Sequence, residues 1–90
     1  MPDTQHPDKP AEPSIEALIA FERRWPGNGP RKYDAIRAEL GITEVRYAVL
    51  LARAIDTDEA LDIDPVFVHH LRARRDRANR NRVNLLRNFS

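Results

Sequence analysis

Apolar residues along this chain of 90 residues recur at helical spacing, with no strand-period alternation, so the pattern predicts an all-α fold. Ile15, Leu18, Ile19 and Glu22 share one side of a first helix, and Phe21 and Trp25 sit one helical turn apart on a broad apolar stripe. Ser14 is its natural N-cap, and Glu16 in the first turn complements the helix dipole. Trp25-Pro26-Gly27-Asn28-Gly29-Pro30 ends it, because proline excludes helix at the preceding residue and glycine favours turns. A second helix runs from about Arg31 to Leu40, with Tyr33, Ile36 and Leu40 as its stripe and Arg37 and Glu39 left wet. Gly41 then supplies a left-handed position, and Thr43 caps a third helix that reaches about Ile55. Between Val45 and Ile55 the charged residues are Arg46 and Arg53, and a helix so apolar is normally central and buried. In a lone small domain, at least one of Val45, Ala48 and Val49 still has to face outward.

Asp56-Thr57-Asp58 breaks the third helix, and Asp58-Glu59-Ala60-Leu61 can form a single turn. Asp64-Pro65 is a strong start signal, with Asp as N-cap and Pro at the first helical position; Phe67, Val68 and Leu71 follow as a core stripe. That stripe fades after Ala73. From Arg74 to Arg82 the one non-polar side chain is Ala78, which predicts a projecting helix, frayed or free-standing. Val83, Leu85, Leu86 and Phe89 form a small apolar cluster near the end. The expected organisation is a Pro-rich disordered tail over 1–13, a domain of three to four helices over 14–73, and a basic helical extension over 74–90.

Charge sharpens this picture. The formal net charge of +1 conceals 8 basic against 13 acidic residues over 1–70, and 7 Arg against one Asp over 71–90. A segregated basic end suits a polyanion, or the acidic part of a second copy. Without cysteine there is no disulfide, thiolate metal site or thiol nucleophile, which fits a cytoplasmic protein. No apolar run approaches the ~20 residues of a membrane span, and the start lacks a basic-then-apolar signal.

Two features carry functional chemistry. Ile36, Leu40, Ile42, Tyr47 and Leu50 fall where a helix-turn-helix around Gly41 needs interior contacts. Arg37 departs from that pattern, since close approach four residues before the turn glycine usually demands Ala. The outward residues Glu44, Val45, Ala48 and Val49 are poor base readers, and an ordinary helical hairpin is the competing reading. The second feature is six arginines between Arg72 and Arg82 against Asp76, with Asn79, Asn81, Asn84 and Asn88 nearby. Guanidinium forks suit phosphate, and Arg-rich helices also bind RNA. His69-His70 lacks the i, i+4 spacing of a helical metal pair. No arranged nucleophile, acid pair or phosphate loop points to catalysis, and no cofactor is expected; Asp56/Asp58 and Asp62/Asp64 are explained by capping.

Phe21-Glu22-Arg23-Arg24-Trp25, the Ala35-Ile36-Arg37 to Gly41 stretch, Arg46-Tyr47, the Leu50-to-Leu61 block, and Asp64-Pro65 with its Arg-rich helix together resemble a known set. It is a family of small actinobacterial and actinophage proteins classed as a domain of unknown function, and the likeness covers roughly residues 14–82. The resemblance implies a helix-turn-helix-like core, with Arg37 a family feature, and no activity. The leading expectation is a small non-enzymatic DNA-binding regulator. Thr43, Glu44 and Arg46 would start its recognition helix, and Arg53, Arg72, Arg74, Arg75, Arg77, Arg80 and Arg82 would bind phosphates. The alternatives are RNA binding through the arginines, or a protein-interaction module, self-associating through the third helix or docking on transcription machinery.

Overall fold

The computed structural model describes residues 12–88, which are all-α: α1 (Ile15–Arg24), α2 (Pro30–Ala35) continuing into a π turn (Ile36–Leu40), α3 (Glu44–Ala54), α4 (Asp58–Ile63) and α5 (Pro65–Asn88). Residues 1–11 of the tail predicted over 1–13, and Phe89 of the C-terminal cluster, lie outside the described residues. The rest falls into two compact units that divide between Leu51 and Ala52, within α3.

The first unit holds α1, α2 and most of α3. Ser14 Oγ accepts the Ala17 N–H at 3.0 Å and starts α1; Trp25, whose N–H still reaches the Phe21 carbonyl, ends it before Pro26. Pro30 opens α2 at a position where a missing N–H costs nothing. The π turn was not foreseen. In it the Gly41 N–H is shared between the carbonyls of Ile36 and Arg37, each at 3.1 Å. Gly41 closes the turn with φ 71° and ψ 24°, the left-handed conformation expected of it. Thr43 Oγ1 accepts the Arg46 N–H at 3.1 Å and caps α3. A β-branched side chain tolerates the left-handed region poorly, so Gly41→Val is expected to cost over ~1 kcal/mol in urea denaturation, and Gly41→Asn clearly less.

Leu18, Ile19, Phe21, Ala35, Ile36, Tyr47 and Leu50 are this unit's buried apolar residues. Phe21 meets Tyr47 edge to face, with ring centroids 5.4 Å apart. Glu22 and Lys32 are buried with them, only 4% and 6% exposed. Lys32 Nζ donates to Glu22 Oε1 and to the Gly27 carbonyl, both at 2.7 Å, and lies 5.6 Å from the centre of the Tyr47 ring. The Tyr47 hydroxyl donates to the same Glu22 oxygen at 2.7 Å. Burial, and then the Glu22 carboxylate, push the Tyr47 phenol well above its ordinary pKa.

The expectation of a centrally buried third helix is corrected. Tyr47 and Leu50 are buried, but Val45, Ala48 and Val49 are all exposed, Val45 by 69%. The helix is amphipathic, because alanine and valine also fill its wet side.

The second unit begins with the last turn of α3. Residues 58–63 form a full helix rather than a single turn; Thr57 Oγ1 accepts the Ala60 N–H at 3.1 Å and donates to the Ala54 carbonyl at 2.7 Å. Asp64 Oδ1 accepts the Phe67 N–H at 3.1 Å, so the Asp64-Pro65 start forms as expected. Ala54, Ile55, Ala60, Val68 and Leu71 are buried. The basic segment is the continuation of α5, whose residues 76–87 are all exposed. The predicted C-terminal apolar cluster is a second correction: Val83, Leu85 and Leu86 are 50–65% exposed, because no other described element covers the end of α5.

Candidate nucleic-acid interface

At the start of α3, all three predicted contact residues engage the protein itself. Thr43 spends its hydroxyl on the helix cap. Glu44 takes an ion pair from Arg37 at 3.2 Å. The Arg46 guanidinium is paired with Glu12. Arg37, the residue that departs from the helix-turn-helix pattern, is itself exposed, so no interior space has to accommodate its guanidinium. The outward face of this part of α3 presents Val45, Ala48 and Val49. In the second unit Arg53 is exposed, with no partner among the described residues.

Along α5 the arginines divide into two groups. Arg72 Nε donates to the Ile55 carbonyl at 2.5 Å, satisfying a group left open where α3 ends, and the guanidinium lies 3.9 Å from Asp56. Arg75 Nη1 contacts both Asp56 carboxylate oxygens, at 2.8 and 2.9 Å, and Nε reaches Asp76 at 3.2 Å. The Asp56 hydrogen bonds raise the Arg75 pKa further above its already high value, so this cation is permanent. Arg74 is half-buried. These three belong at least partly to the fold. Sequence spacing could not separate them from the rest, because Asp56 lies 19 residues from Arg75.

Arg77, Arg80 and Arg82 form the second group. All are exposed, and none has a hydrogen bond or ion pair among the described residues. Asn79, Asn81 and Asn84 are exposed between and beyond them. Arg77, Arg80, Asn81 and Asn84 follow the i, i+3, i+4, i+7 spacing of a single helix face. Arg82 falls on the other side, in line with Arg72 and Arg75 at i, i+3, i+10. The distal helix thus offers fixed positive charge on two sides, with Asn81 and Asn84 on the side of Arg77 and Arg80, and Asn79 on the side of Arg82.

Among the described residues no group of three His, Cys, Asp or Glu side chains is placed to hold a metal ion, and His69 and His70 are both exposed. No helix among the described residues is long and apolar enough to cross a membrane. Residues 13–83 match the family model described as "Protein of unknown function (DUF3263)". No curated protein and no solved structure matches the chain.

Proposed function

We propose that this chain, which belongs to the DUF3263 family, is a small non-enzymatic DNA-binding protein of regulatory type. In this reading α2 and α3 form a helix-turn-helix about Gly41, and α5 supplies phosphate contacts. One observation carries it: residues 76–87 continue α5 without burying a side chain, and they hold Arg77, Arg80 and Arg82 unpaired among the described residues. A helical stretch this short is marginal in water on its own propensity. Repulsion among its arginines weakens it further. A phosphate backbone removes both costs, since each neutralised phosphate releases counterions and relieves the repulsion. The left-handed turn at Gly41 is a second, weaker support, because the short glycine turn is shared with plain helical hairpins.

The test is fluorescence anisotropy with a random-sequence DNA duplex of about 20 base pairs, between about 50 and 300 mM salt, beside a single-stranded RNA of equal length. The expected result is tighter duplex binding, with log affinity falling by about 3–6 per decade of salt. RNA preference would replace the DNA reading with the arginine helix as an RNA binder. No binding to either at low salt would leave a protein-interaction module, which the exposed Val45, Ala48 and Val49 favour.

A further inference from the structure

Which element reads the bases is a separate question from whether the protein binds DNA. A recognition helix needs donors and acceptors free to reach base edges in the major groove. The outward face of α3 has little to offer. Val45, Ala48 and Val49 carry no polar group, and Thr43, Glu44 and Arg46 are each engaged by another part of the protein. Such a face can touch a thymine methyl but cannot tell purines apart.

The distal face of α5 has the opposite character. Arg77, Arg80, Asn81 and Asn84 share one side of an exposed helix, and no hydrogen bond within the described residues occupies the two asparagines. Their carboxamides present a donor and an acceptor side by side, the pattern that matches N6 and N7 of adenine. At 1.5 Å per residue the face from Arg77 to Asn84 spans about 10 Å, which is about three base-pair steps. Asn81 and Asn84 are separated by about 4.5 Å along the axis, close to one step. Among the described residues the side chains of 76–87 are all exposed, so this stretch of helix is free to enter a groove about 12 Å wide. Arg77 and Arg80, on the N-terminal side of the asparagines, then take backbone phosphates.

We propose that α5, not α3, is the sequence-reading element, and that Asn81 and Asn84 read adenines in neighbouring base pairs of the major groove. This rests on the DNA-binding reading above and adds the residues and the base class to it. An A-form RNA groove is too deep and narrow for the same insertion, so the preference belongs to duplex DNA.

The experiment is selection from a randomised duplex library with the full chain, followed by affinity measurements on the selected and an unrelated duplex. Wild type, Asn81→Ala, Asn84→Ala and the double variant are compared. Both positions are exposed on the helix, and circular dichroism checks that each variant keeps its helix content. The expected selected sites contain adenines in adjacent or next-adjacent pairs. Each single variant should lose about 5- to 150-fold of the discrimination between selected and unrelated duplex. Affinity for the unrelated duplex and its salt slope should stay unchanged, because neither asparagine neutralises a phosphate. Duplex binding with discrimination intact in the double variant overturns the inference and leaves DNA binding standing. So does loss of discrimination on changing Val45 or Val49 instead. A wild type that binds duplexes with no sequence preference overturns base reading altogether. A wild type that binds no duplex overturns both proposals together.

Discussion

Replacing Glu22 by alanine is expected to destabilise the protein by about 3–5 kcal/mol, the cost of leaving one member of a buried ion pair unmatched. Against a total of about 5–15 kcal/mol for a small domain, that leaves a substantial unfolded population. Lys32 is 6% exposed, so it cannot recover its hydration without moving α2. Among the described residues the Gly27 carbonyl is the acceptor that remains to it, and the Tyr47 hydroxyl loses its own acceptor in the same step. Urea denaturation at neutral pH measures the loss, and a change below about 1 kcal/mol would contradict the arrangement. Glu22→Leu, Lys32→Met and Tyr47→Phe together should come out close to wild type, since apolar replacement of a whole buried polar cluster is often neutral and no buried hydroxyl is then left without its acceptor. The same cluster sets an alkaline limit. The folded state raises the Tyr47 pKa, so the stability tied to the neutral phenol is complete below about pH 10 and declines as the pH rises beyond it.

Changing Arg77, Arg80 and Arg82 together to alanine is expected to lower duplex affinity by about a hundredfold near 0.1 M salt. The salt slope should flatten by about 2.7, which is 0.9 for each lost phosphate contact. The thermal midpoint should barely move, because all three side chains are exposed and unpaired among the described residues. Arg75→Ala gives the contrast. Its guanidinium holds Asp56, so stability should drop, though by no more than about 1 kcal/mol for a pair this open to water. A triple variant with wild-type affinity and slope would remove α5 from the interface.

Local chemistry explains what could be read from the residues alone. Ser14, Thr43, Thr57 and Asp64 each accept an N–H three residues ahead, an interaction that is complete within one turn of chain. Gly41 is legible for the same reason: it lies one residue past an apolar stripe, where a left-handed residue ends a helix. Glu22 was visible as a charge on the apolar side of α1, but its partner was not. Lys32 sits ten residues away in another helix, and nothing in its neighbours distinguishes it from a wet lysine. The same holds for Arg72 and Arg75, which sit in one basic run with Arg77, Arg80 and Arg82 until Asp56 and the Ile55 carbonyl are placed beside them. The exposed side of α3 was obscured by composition, since valine and alanine serve a wet face and a core face alike.

The π turn bears on how chain length can vary among relatives of this protein. Such a turn closes its hydrogen-bonded ring one residue later than an α turn does, so Ile36–Leu40 takes up an additional residue along an otherwise ordinary helical path. A homologue shorter by one residue here can carry a plain α-helix and still arrive at the same glycine. The register that sets Tyr47 against Phe21 is then preserved across a length difference that would rotate every downstream side chain by about 100° in an uninterrupted helix. Gaps between aligned family sequences should therefore collect in this segment, and not within α1 or α3.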